Sequence, residues 1–241
     1  MYNNLLLNSL NSIQARKVNT RTKLADYFPK EDIQDFNLRV EADLQNGKSS
    51  VEFLLGASAG RTAGKTERLL QNNDAFAPVA LGLFVKKAKL VAGVESPGND
   101  SLLASVDATI FNHAGAGNYS EAECVQAVYN SDLAMYADGK ELLYKVDTAM
   151  LEAVFSGSGQ LLEDAMQILT KEFVIFGGND NKVTLDMKGA ITDTIAGDPS
   201  ATATEKNKAV LIFSGLIIRG GADRVNHLDA SQLIAGNTLA L

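Results

Sequence analysis

The sequence predicts an all-β protein, a sandwich or jelly roll of antiparallel strands, with short helices and an N-terminal amphipathic helix. Three observations predict it. Residues 36–44 alternate with a strict period of two, Phe36, Leu38, Val40, Ala42 and Leu44 against Asn37, Arg39, Glu41 and Asp43. That is a strand with one buried face and one wet face. Asn46-Gly47 and Asp138-Gly139 each lie between apolar runs, and such pairs accept the positive φ of a hairpin turn. Helical periodicity is confined to short stretches, which weighs against an alternating parallel α/β sheet.

In chain order, residues 5–17 carry Leu6, Leu7, Leu10 and Ile13 on one stripe, a short amphipathic helix. Such a stripe cannot stay in water cheaply, since each leucine-sized chain buried is worth about 1.5–3 kcal/mol. It must dock on its own sandwich, on a neighbour or at a lipid interface. Arg16, Lys17, Arg21 and Lys23 follow. They read either as a solvated helix end, where cations are favourable, or as a contact with an anionic surface such as lipid headgroups. Pro29 closes this arm, taken as residues 1–28 and expected to be dispensable for folding.

After the 36–44 strand, residues 51–55 are apolar again, and residues 76–85 and 102–111 read as further strands. Residues 133–137 and 141–146 flank Asp138-Gly139 as a hairpin. Residues 173–176 and 183–187 flank a turn of Gly177, Gly178, Asn179, Asp180 and Asn181. Residues 209–218 are nearly all apolar, and Gly215 within them marks a bulge or a close backbone approach. Ser120 with Glu123 forms a capping box before a short helix bearing Cys124, Val125, Val128 and Tyr129. Leu161, Leu162, Ala165, Ile168 and Leu169 form a second helical stripe. Gly157-Ser158-Gly159 divides the chain into a first sandwich, 29–156, and a second, 157–241.

Composition bounds the function. The chain has 241 residues, 46% of them hydrophobic and 21% charged, so a packed core is expected rather than disorder. Its formal charge is −7, which disfavours phosphate backbones, and no specific nucleic acid is expected as partner. Cys124 is the single cysteine, so neither an intrachain disulfide nor a thiolate zinc site can form. No apolar run reaches the roughly 18 residues of a membrane span, and the first residues lack a basic signal-type region.

Catalytic motifs are tempting but incomplete. Gly60, Arg61, Thr62, Ala63, Gly64, Lys65 and Thr66 resemble a phosphate-binding loop. Such a loop needs four residues between its glycines so that successive amides can ring a phosphate, and here there are three. His113 and His227 have no partner at metal-ligand spacing. Asn179, Asp180 and Asn181 are oxygen-rich but lack the spacing and terminal glutamate of a calcium loop. The expectation is a protein with no catalytic, cofactor or metal site.

Asn72, Asn73, Asp74, Ala75 and Phe76 lead into Val79, Ala80, Leu81, Gly82, Leu83, Phe84 and Val85. This segment is similar to one in the major capsid proteins of tailless icosahedral, membrane-containing bacteriophages. Residues 127–133, passing into Asp138-Gly139, and the late strand at 210–218 resemble later segments of the same proteins. The resemblance covers about a quarter of the chain. It implies a double jelly-roll major capsid subunit, made in the host cytoplasm and located in the virion. Three copies would form a capsomer that packs with neighbouring capsomers and other virion proteins over an internal membrane. The contacts to that membrane would come from Arg16, Lys17, Arg21 and Lys23. Two eight-stranded rolls leave roughly 13 residues per strand and loop, against strands that average about 5–6. A single roll with elaborations therefore stands beside the double one. The alternatives from other classes are a lectin-like binding module, disfavoured by the absence of tryptophan, and the nucleotide binder already described.

Overall fold

A computed structural model describes residues 2–56, 66–91, 94–95, 102–103, 126–137, 139–151, 166–192, 196, 205–227, 233–235 and 238–240. The protein is mostly β-sheet, arranged as two antiparallel sheets with few helices. Helix α1 spans Tyr2–Leu24. The strands are β1 Ile33–Asp43, β2 Ser50–Leu54, β3 Ala75–Val91, β4 Val94–Glu95, β5 Leu102–Leu103, β6 Asp132–Ala137 and β7 Lys140–Asp147. Then follow β8 Gln167–Ile168, β9 Phe173–Phe176, β10 Asn181–Asp186, β11 Glu205–Ile218, β12 Leu233–Ala235 and β13 Thr238–Ala240.

The first sheet has the order β1-β11-β3-β9-β13-β12, with β4, β5 and β8 also paired to β3. The second has the order β2-β10-β6-β7. Among the eight strands β1, β2, β3, β6, β7, β9, β10 and β11, the first pairs with the last, the second with the seventh, the third with the sixth and the fourth with the fifth. Both sheets thus take strands from either side of residues 157–159, which themselves lie outside the described residues. The expected division into sandwiches at 29–156 and 157–241 is not how the strands pair, because β11 lies hydrogen-bonded between β1 and β3.

The main core lies between the sheets. Leu38, Val40, Leu81, Leu83, Leu211 and Phe213 from the first sheet meet Phe53, Leu133, Met135, Val183 and Leu185 from the second. The alternation expected at 36–44 places Leu38 and Val40 in this core, and β1 begins three residues earlier than expected. The runs at 76–85 and 209–218 do not alternate, and their packing explains why. Val210, Ile212, Leu216 and Ile218 point away from the core and are buried all the same, against α1 and its flanking turn. A strand covered on both faces reads as a continuous apolar run.

Local backbone follows the turn and glycine chemistry. Gly139 has φ +75° at the β6–β7 turn, and Gly47 has φ +78° after β1. The β3–β11 register shifts between Ser214 and Gly215, opposite Pro78, which has no N–H to give a ladder. A Cβ on Gly215 would lie 2.2 Å from the Ala77 carbonyl oxygen, so the backbones approach there as closely as only glycine allows. Helix α1 is longer than the expected 5–17. It continues through Leu24 because the docked stripe continues, and Phe28 N–H donates to Leu24 O at 2.9 Å before Pro29 turns the chain.

Candidate functional site

The outer face of the first sheet holds the two features that could carry function. One half lies under α1. Ile13 packs with Ala80, Phe84, Met166, Val210 and Ile212. Leu24 and Phe28 pack with Ile33, Ala75, Ala77, Val174, Phe176, Leu216 and Ile218. Between these apolar groups the buried stripe of the helix carries Lys17 and Thr20.

The four cations singled out in the sequence belong to this helix, and the sandwich itself engages them. Arg16 Nε lies 3.0 Å from Glu172 Oε1, and Lys23 also pairs with Glu172. Arg21 pairs with Asp35 at 3.3 Å, and Lys17 is buried. The structure therefore corrects the picture of a separable arm over residues 1–28. The part of the stripe at Ile13, Leu24 and Phe28 is docked on the protein's own sheet, because that removes apolar surface from water without a partner. The side chains of Leu6, Leu7 and Leu10 lie outside the described residues.

The other half of this outer face is ionic. Glu41, on the side of β1 expected to be wet, is buried. It accepts hydrogen bonds from Thr66 Oγ1 at 2.6 Å, Arg39 Nη2 at 2.6 Å and Lys86 Nζ at 3.1 Å, with Lys208 Nζ at 3.3 Å. Lys208 also pairs with Glu95 and Asp43, and Lys206 reaches both at 2.9 Å. The segment around Arg68 runs along the edge of β1 and exchanges both backbone bonds with Arg39, at 2.8 and 3.1 Å. That segment carries Thr66 over the cluster and Glu67, whose carboxylate accepts from the Glu41 N–H at 2.9 Å.

The cluster's electrostatics decide its chemistry. Burial by itself would raise the Glu41 carboxyl, but the Thr66 hydrogen bond and the charges of Lys86 and Arg39 outweigh burial and hold it at about 2. A carboxylate that weakly basic is a poor general base near neutral pH. Lys208 is lowered by burial and raised more by its bonds and charges from Glu95, Asp43 and Glu41, with a net rise, so it stays protonated and is no nucleophile. Glu41, Asp43 and Glu95 each pair with cations, and the arrangement works as a clamp that ties β1, β3, β4 and β11 at one end of the sheet.

The sequence did not point to this clamp. Its one visible trace is the placement of Lys86, Lys206 and Lys208 at the ends of otherwise apolar runs, and their pairing with Glu41 and Asp43 needs the register Asp43↔Lys208↔Lys86. Of the remaining candidates, residues 57–65, which hold all of the phosphate-loop lookalike except Thr66, lie outside the described residues, as do His113 and Cys124. His227 ends a short 3-10 helix, Ala222–His227. Asn181 holds the β9–β10 turn, its Nδ2 donating to Phe176 O at 2.7 Å and Asn179 O at 3.2 Å. Among the described residues, no three His, Cys, Asp or Glu side chains converge as metal ligands, and no helix is long and apolar enough to cross a membrane.

The class the geometry defines is a two-sheet antiparallel β protein with a helix docked on one outer face. Comparison with known protein families finds none that matches the chain, and no curated protein sequence matches it.

Proposed function

We propose that this chain is a structural subunit of a virion shell, a jelly-roll capsid protein that works by self-assembly rather than by catalysis. The observation that carries the reading is the strand pairing. Eight strands joined first to last, second to seventh, third to sixth and fourth to fifth form one long antiparallel ribbon wrapped into two sheets. That pairing order supports a jelly-roll reading, an arrangement common to viral capsid domains and lectins. The pairing supports one roll with short additions over two rolls. The capsid reading further rests on the resemblance of residues 72–85, 127–133 and 210–218 to phage major capsid proteins. The mutually neutralised clamp at Glu41, which has structural rather than catalytic chemistry, supports it too. The partners are further copies of the chain, a trimer first, then neighbouring capsomers and other virion proteins. Membrane contact through Arg16, Lys17, Arg21 and Lys23 draws little support from the packing, since Arg16, Arg21 and Lys23 face carboxylates of the sandwich and Lys17 is buried.

The test is native mass spectrometry of the purified protein across a concentration series, with negative-stain microscopy of the largest species. Trimers and shell-like or sheet-like particles are expected. A protein that stays monomeric at every concentration overturns the proposal.

A further inference from the structure

The turn between β9 and β10 is drawn against the end of β2 and the loop before β3. Gly177 N–H donates to Asp74 O at 2.8 Å, and Leu55 N–H donates to Asn181 O at 3.0 Å. Gly177 makes the approach possible, since a Cβ at that position would collide with Gln71 O. Where the three segments meet they leave a cavity of about 320 Å³, walled in part by Gly56, Asn72, Gly177, Asn179, Asp180 and Asn181.

Oxygen atoms gather around this cavity. A Cβ built on Gly56 would sit 3.2 Å from Gly177 O and 3.9 Å from Asn179 O, so both carbonyls lie over a position that carries no side chain. Asn72 O lies 3.5 Å from where a Cβ on Gly178 would be. Asn181 is 2% exposed, and its Nδ2 donates to Phe176 O and Asn179 O. That leaves Oδ1 on the opposite side of the amide, where it is buried and, among the described residues, accepts no hydrogen bond. A buried acceptor in that state is destabilising, and a water or an ion relieves it. Asp180 adds a carboxylate at the exposed rim, and the neighbouring Lys182 is engaged by Glu52 at 3.1 Å.

We infer that this cavity is a cation site, built for Ca²⁺ from main-chain and amide oxygens with the Asp180 carboxylate. Carbonyl, amide and carboxylate oxygens are ligands for hard cations. Ca²⁺ accepts an irregular shell of such oxygens completed by water, whereas Mg²⁺ demands a near-ideal octahedron and gives up its waters reluctantly. A water molecule donates only two hydrogens, fewer than the acceptors gathered here, and a cation engages them all. The oxygens come from three segments of the chain, so no spacing within one loop reveals the set. A bound ion would fasten the end of β2, the loop before β3 and the β9–β10 turn to one another.

Calorimetric titration of the full chain, stripped with EDTA, with CaCl₂ and with MgCl₂ is the test. One saturable Ca²⁺ site per chain is expected, with Kd of about 10⁻⁴–10⁻³ M for a site with a single carboxylate, and Mg²⁺ weaker by about tenfold or more. The unfolding temperature should rise as the site fills. Asp180→Asn removes the charge from an exposed position, and Gly56→Ala sets a methyl group before the Gly177 carbonyl without changing charge. Each should weaken Ca²⁺ binding by about tenfold or more. Melting curves in EDTA show whether each variant is folded, and Asp180→Asn alone decides the matter if Gly56→Ala is not. Absence of saturable binding up to about 10 mM Ca²⁺ overturns the site and leaves the cavity to water. Binding unchanged in Asp180→Asn, or lost there but kept in a folded Gly56→Ala, places the ion on surface carboxylates and overturns it as well. Oligomeric state is not the readout, so the capsid reading stands or falls separately.

Discussion

The outer faces of the two sheets are made from the same alternation of side chains and end in opposite environments. On the β2-β10-β6-β7 sheet the outward side chains of β2 and β10 are partly or fully exposed, and all but Leu54 are polar. Lys182 and Glu52 pair there at 3.1 Å with 33% and 48% of each side chain exposed, and Lys188 meets Asp132 at 3.2 Å. On the β1-β11-β3 sheet most of the described outward residues are covered, by α1 over one half and by the Arg68 segment over the other, while Asp35 at the margin stays exposed. The Lys86 and Glu41 side chains there retain 1% and 2% of their exposure. Coverage changes what a residue type is worth. An ion pair in water is nearly neutral to stability, whereas a buried one leaves a stranded charge when half of it is removed.

Removing the cover should have the largest effect. Deletion of residues 1–28 takes away Ile13, Leu24 and Phe28, all buried, at about 1.5–3 kcal/mol each and so roughly 5–9 kcal/mol together. That approaches the whole net stability of an ordinary domain. The truncated chain should lose cooperative thermal unfolding and bind a hydrophobic dye. A truncated chain with an unchanged melting curve would return α1 to the status of an optional arm.

Next comes a matched pair of substitutions. Glu41→Gln should cost about 3–5 kcal/mol, because Lys86 is then buried without its carboxylate. Glu52→Gln, on the wet face, should cost less than about 1 kcal/mol. Urea titration of both variants checks the contrast, and equal costs would erase it. The pH profile sharpens the same point. Glu41 sits below its ordinary 4.5, at about 2, so its stabilisation is complete above pH 4.5 and is lost as pH falls towards 2. Lys208 is raised above 10.5, so its contribution is complete below that pH and is lost as pH rises through the raised value. Glu41→Gln should flatten the acid limb, which thermal melts between pH 2 and 5 would measure.

Gly215→Ala should destabilise by about 1–3 kcal/mol, since the new methyl group meets the Ala77 carbonyl across the doubly covered sheet. The smallest expected effect lies at the edge of the wet sheet. Lys145 has φ +41° beside a register shift between β6 and β7. Lys145→Gly should relieve that strain and stabilise by about 1 kcal/mol, offset in part by the entropy of glycine. Denaturant midpoints would register both signs, and a destabilised Lys145→Gly would mean that its side chain contributes more than its backbone costs.

Much of the all-β fold was legible in the sequence because its signals are local. Period-two alternation marked β1, the Asn46-Gly47 and Asp138-Gly139 pairs marked turns, and Gly215 marked the bulge that Pro78 imposes. The cations at 16–23 were legible as charges but not as partners of Glu172 and Asp35, which lie far along the chain or across a turn. Glu41 was read as wet because its own strand says so.

By itself, then, the sequence determined the positions of β1, β2, β3, β6, β7, β9, β10 and β11, turn positions and a helix with a face to bury, whereas Ile168, read as part of a helical stripe, lies in strand β8. Each depends on residues within one or two turns of chain. Only the tertiary structure decided that β11 enters between β1 and β3, that α1 folds back on that sheet, and that Glu41, Lys86 and Lys208 share one buried site. Those outcomes depend on pairings between residues far apart in the chain, 167 positions for Glu41 and Lys208, and no local pattern records which distant strand will supply the neighbour.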